Sequence, residues 1–152
     1  MTSLESALLG DELMGTVAAL RRTVRRRLRT ALPGPPLRGA QLELMRVVEQ
    51  QPGIGIGPAA RVLHLAANTV STLVDQLIDL GMLVRDTDPD DRRAARLWLT
   101  ESATQRLAAG RQARMELMTQ VVAGLSAAER EALAQALPAL RALLAALDAL
   151  ED

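Results

Sequence analysis

The sequence predicts a mostly helical fold carrying one small β-hairpin, on three observations. Ala and Leu dominate the apolar half of the chain while β-branched residues are sparse, which favours helix. Apolar residues recur at steps of three or four along most of its length. One stretch, 82–100, breaks that period with two short apolar runs around a polar turn. The 152 residues suit one compact domain. Phe and Tyr are absent and Trp98 is the single aromatic residue, so the core must be built from Leu, Val, Ala, Ile and Met.

Residues 11–32 read as an amphipathic helix, with Leu13, Val17, Leu20, Val24 and Leu28 on one side. Arg21, Arg22, Arg25, Arg26, Arg27 and Arg29 crowd the other. Pro33-Gly-Pro-Pro36 ends it, because proline lacks the amide donor a helix needs. A second helix is expected over 39–51, then a glycine-rich turn from Pro52 to Gly57. That turn lacks the Gly-Lys-Ser/Thr ending of a phosphate-binding loop. A short helix at 58–64 and another at 67–80 follow, the latter stopping at Gly81. Two antiparallel strands, 82–85 and 95–100, flank the turn residues Thr87 to Asp91. Thr100 caps a helix over 101–123. Ser126-Ala-Ala-Glu129 is a capping box opening a last helix to about 149. Leu133, Leu137, Leu140, Leu144 and Leu147 are spaced there like a coiled-coil seam, and Pro138 should kink the helix. The leucine row fits a partner chain or an intramolecular helix pair equally well.

Composition narrows the function. Eighteen basic and eighteen acidic residues cancel, so bulk charge does not coat nucleic acid, although one face can still be basic. Every basic residue is Arg, whose planar fork suits phosphates and guanine edges; a GC-rich coding bias explains the usage equally well. With no Cys, disulfides, thiolate metal sites and thiol redox sensing are excluded. His64 has no second His or Cys beside it, so a polar residue at the core's edge is expected and no metal site. One His and no Cys, Tyr or Lys leave no ordinary nucleophile–base set, so no enzyme and no cofactor are expected. No stretch approaches the roughly 20 apolar residues of a membrane span. No secretory signal is evident at the N-terminus, and a cytoplasmic location is the expectation.

The informative unit runs from 56 to 100: short helix, tight turn, helix, hairpin. The second of these helices has an inner face of Val70, Leu73, Val74, Leu77 and Leu80. Its outer face carries Asn68, Thr69, Ser71, Thr72, Asp75, Gln76 and Asp79. Small polar side chains allow close approach to base edges, and Asn or Gln can pair with adenine. An ordinary solvated helix face has the same polarity. The hairpin loop holds Arg92 and Arg93 beside Pro89 and could reach a narrow minor groove. It could equally be a salt-bridged surface turn. Arg61 touches the DNA backbone or is solvated, and the arginines of 21–29 fit a solvated or interface-pairing face better than phosphate. Trp98 fits an anchor for the hairpin better than the border of a ligand cavity.

Leu77-Ile-Asp-Leu-Gly-Met-Leu-Val-Arg85, Asp88-Pro-Asp-Asp-Arg-Arg-Ala94 and Leu99-Thr100 together resemble the MarR family of winged helix-turn-helix regulators. Leu37 to Val48 resembles that family's second helix, and Leu125 to Glu129 the start of its last. The resemblance implies a homodimer: an N-terminal dimerisation helix and linker (1–36), a winged DNA-binding domain (37–100) and C-terminal dimerisation helices (101–152), intertwined as one domain. It implies a repressor of transcription on a pseudo-palindromic double-stranded operator, with recognition helices roughly 34–36 Å apart. It implies that Arg93 enters the minor groove, oriented by Asp91, and leaves Arg92 for phosphate. It also implies a small-molecule effector, although the Tyr, Phe and His residues that line such pockets are missing. Two further departures are Ala66, where a Ser cap is usual, and Ser102-Ala103, where a glycine is usual. The competing reading is a helical interaction protein whose winged domain no longer binds DNA. Zero net charge, Asp75 and Asp79 favour it.

Overall fold

The computed structural model describes residues 2–29, 36–87 and 95–150. Among the described residues, six helices and three short strands follow in order: α1 (Ser3–Arg29), α2 (Gly39–Gln50), β1 (Ile54–Gly55), α3 (Ile56–Val62), α4 (Ala67–Asp79), β2 (Leu83–Thr87), β3 (Ala95–Leu99), α5 (Glu101–Ala123) and α6 (Ala127–Asp148). They divide into two units, Met1–Ala113 and Arg114–Asp152. No helix among the described residues is long and apolar enough to cross a membrane.

In the first unit, α2, α3, α4 and the sheet enclose one apolar core. Leu44, Met45, Val70, Val74, Leu77 and Leu97 are almost wholly withdrawn from solvent at its centre. α4 earns its place by period: Val70, Leu73, Val74 and Leu77 form one buried stripe, as their spacing requires. α3 and α4 end alike. His64 N–H donates to Arg61 O and Leu65 N–H to Ala60 O; Gly81 N–H donates to Ile78 O and Met82 N–H to Leu77 O. This is the Schellman arrangement, whose turning residue must be left-handed. Gly81 takes φ +67° freely, and His64 takes φ +50°. His64 is therefore an exposed helix-ending residue, where the sequence pointed to a core-edge position. Its backbone role is invisible to hydropathy.

Sequence and structure part again at β1. Ile54 and Gly55 pair with Leu97 and Arg96, so the sheet has three strands in the order β1-β3-β2. Two residues are too few to show a period of two, and they vanished into the expected glycine turn. α1 also begins at Ser3 rather than near residue 11. Thr2 and Glu5 form a reciprocal cap there, with Thr2 N–H donating to Glu5 Oε2 and Glu5 N–H to Thr2 Oγ1.

Gly53 shows why β1 can form. It lies at φ +81°, its N–H donates to Leu97 O, and the Trp98 ring covers it. A Cβ at Gly53 would lie 3.1 Å from Trp98 Cζ2. Gly53→Ala combines left-handed strain with that collision, and should cost about 1–3 kcal/mol. Chemical denaturation followed by Trp98 fluorescence measures this directly; an unshifted midpoint would show that the ring gives way freely. Trp98 thus anchors the sheet to the turn after α2.

α5 starts on Thr100, whose Oγ1 accepts from Ala103 N–H and donates to Gly81 O. In the second unit, Ser126 Oγ accepts from Glu129 N–H while Glu129 accepts from Ser126 N–H. The Ser126 hydroxyl, and then its backbone N–H, hold the Glu129 carboxyl below the usual glutamate range. The folded value is lowered, so this stabilisation is complete above the unfolded value and disappears as pH falls through the folded one. α6 continues through Pro138 and buries no residue within this chain.

Candidate nucleic-acid interface

α4 presents three stripes besides its buried one. Asn68, Thr72, Asp75 and Asp79, spaced four, three and four, are all exposed and point directly away from the core. Thr69 and Gln76 lie on one flank, and half-buried Ser71 on the other. The structure thus brings the sequence-predicted α4 residues onto one polar surface, with differing freedom.

The first half of that surface carries no charge. Ala66 supplies no side-chain cap, so Asn68 compensates: its Oδ1 accepts from Thr69 N–H at 2.8 Å. Thr72 Oγ1 donates to Asn68 O at 3.1 Å, which leaves its methyl and a lone pair for a partner. The second half contains both acids. Asp75 Oδ1 accepts from Arg85 Nη2 of β2 at 3.2 Å, so one of the two charges is balanced locally. Both side chains are well exposed, and the pair adds little stability. Its effect is on the field around the helix. Sequence reading missed this pairing because the two residues lie ten apart on different elements.

Gln76 is held by α2. Gln41 is 5% exposed, the single buried polar side chain among the described residues. Its Oε1 accepts from Arg38 N–H at 2.8 Å, and its Nε2 donates to Gln76 Oε1 at 3.0 Å. Pro36, Arg38, Gln41, Gln76, Asp79 and Leu80 border an open crevice of about 320 Å³ here. Gln41 sat unnoticed in the apolar pattern of α2. Its place at the helix's third position was the available signal, since Gln there accepts from the capping residue's N–H.

Asp91, Arg92 and Arg93 lie outside the described residues. The two strands leading to them are described: β2 and β3 pair from Leu83↔Leu99 to Thr87↔Ala95. Arg61 is exposed on α3. Arg25 extends its guanidinium over Gly39, where an added Cβ would lie 3.2 Å from Nη2.

The sequence pattern of the MarR family matches residues 37–95. A Thauera aromatica protein named for transcriptional regulation of the hcr operon is 34% identical over 116 residues, 76% of this chain and 68% of that one. Among solved structures, one named as a transcriptional regulator of Pseudomonas aeruginosa has a TM-score of 0.80 at 25% identity, covering 95% of this chain and 98% of that one. Streptococcus pneumoniae FabT in complex with DNA shares the fold, with a TM-score of 0.72 at 18% identity over 90% and 98% of the two chains.

Proposed function

The chain belongs to the MarR family of transcriptional regulators, and we propose that it grips a pseudo-palindromic DNA duplex as a homodimer and represses transcription by occupying it. The observation that carries this reading is the uncharged, small-residue first half of α4, standing clear of the core beside the hairpin. Asn68, Thr69, Ser71 and Thr72 enter the major groove, where small polar side chains let the helix come close. Asp91, Arg92 and Arg93 serve the adjacent minor groove and phosphates. The FabT complex supports DNA as the partner, because a chain of the same fold was solved with it. Asp75, offset by Arg85, does not oppose that approach as strongly as a bare carboxylate would. A small effector enters this reading through the resemblance alone, and would act by favouring a spacing that misfits DNA.

Selection of bound duplexes from a random pool tests the reading, with a two-fold symmetric sequence as the expected result. Arg93→Ala should weaken binding roughly tenfold or more and lower the salt slope by about one, with an unchanged melting temperature. Unaltered affinity and slope would remove the wing from the interface. No duplex bound even at low ionic strength would leave the helical interaction protein as the better reading.

A further inference from the structure

We propose that Gln76 meets base edges as a hydrogen-bond donor alone, and that buried Gln41 is the positioning residue that makes it so. The inference rests on α4 being the helix that enters the major groove. One hydrogen bond between α2 and its cap has a direction that cannot be reversed. The Arg38 backbone N–H can only donate, so the group of Gln41 that meets it must be the carbonyl oxygen. The Gln41 amino group must then face the other way, toward Gln76. An amino group only donates, so Gln76 turns its own oxygen to it. One backbone amide thereby fixes the orientation of two side-chain amides in series.

The consequence lies at the far end of the relay. Gln41 is almost fully buried, so the Gln76 oxygen that touches it is turned inward. The Gln76 amino group is the end left for a partner. Asp79 borders the same crevice, yet no hydrogen bond joins it to Gln76 among the described residues. Glutamine pairs with adenine by offering oxygen and amino group together on one edge. Gln76 held this way offers donors only. Guanine presents two adjacent acceptors, N7 and O6, and satisfies them. Adenine leaves its N6 amino group unmatched. Cytosine sets its N4 amino group against another donor. The expected order at this position is guanine first and cytosine last.

Selection from random duplexes with the full chain and two variants tests this. The unmodified protein should prefer guanine at one symmetry-related pair of positions. Gln76→Ala should flatten that preference, a loss of about tenfold in discrimination, and leave the remaining positions as they were. Gln41→Glu, at mildly alkaline pH, still accepts from Arg38 N–H but presents only acceptors to Gln76. The Gln76 amide must then reverse and expose its oxygen, so the preference should move from guanine to cytosine or adenine. A merely structural Gln41 would change stability and leave base preference alone. Retention of guanine by Gln76→Ala, or unchanged preferences in a folded Gln41→Glu, overturns the proposal. So does an equal loss by Gln76→Ala on every sequence, which marks a phosphate contact. If Gln41→Glu fails to fold, Gln76→Ala decides alone. If the unmodified protein binds no duplex, the DNA-binding reading falls.

Discussion

Leu77→Ala should lower the unfolding free energy of the first unit by about 2–5 kcal/mol, the range for emptying a fully buried leucine site. Leu77 has no exposed surface and lies on the inner stripe of α4 with Val70, Leu73 and Val74. Its carbonyl also accepts from Met82 N–H, so the residue sits where the helix turns back into β2. Fixed elements hold the site on each side, and the cavity has little means to collapse. Domains have only about 5–15 kcal/mol in total, so the loss is a large share. Urea denaturation followed by circular dichroism reads it. A loss below 1 kcal/mol would show that α4 is not seated by this stripe. DNA binding should persist at low temperature, where the variant still folds, because Leu77 faces away from Asn68 and Thr72. The stripe that holds the helix and the stripe proposed to meet DNA are separate properties of one sequence.

That separation explains which parts of the molecule could be read in advance. Helices α2, α4 and α6 announced themselves through apolar period, and α5 and α6 through caps such as Thr100 and the pair Ser126 and Glu129, which are local signals. The hairpin was legible because 82–100 departs from that period. β1 was not, since Ile54 becomes a strand only when β3 arrives more than forty residues later. His64 was misplaced because its left-handed backbone is a demand of the turn between α3 and α4. The candidate site divides in the same way. The residue types on α4 were visible, and so was their common face. Which atoms remain available was not. Thr72 uses its proton on Asn68 O, Asp75 meets Arg85, and Gln76 turns its oxygen to Gln41. Each of these is decided by a neighbour that hydropathy does not connect to it. Zero net charge says nothing of such pairings, because the contact of Asp75 with Arg85 is a local matter.

The double substitution Leu137→Glu, Leu140→Glu should abolish the proposed dimer and, with it, tight binding to a two-fold operator. Leu133, Leu137, Leu140, Leu144 and Leu147 are each at least 41% exposed in the single chain, and α6 buries nothing. A row of that length on a surface calls for a cover. In the proposed dimer a second copy supplies it symmetrically, so every substitution acts twice. Each leucine contributes about 1.5–3 kcal/mol when fully covered, and the double variant removes four of them per dimer. It also places four carboxylates against an apolar seam, where an unpaired charge is strongly disfavoured. Dissociation should strengthen by well over a hundredfold, a change worth about 2.8 kcal/mol at minimum. The chain itself should fold, since neither leucine belongs to the core of the first unit and Glu is a good helix former. Sedimentation at micromolar concentration, with circular dichroism as the folding control, measures the loss. Operator affinity should fall in parallel, because two winged domains on one duplex reinforce each other only while joined. A variant that stays dimeric would show that the leucine row is not the seam. One that turns monomeric yet binds a full operator undiminished would show that a single winged domain suffices, and the proposed link between assembly and recognition would have to be abandoned.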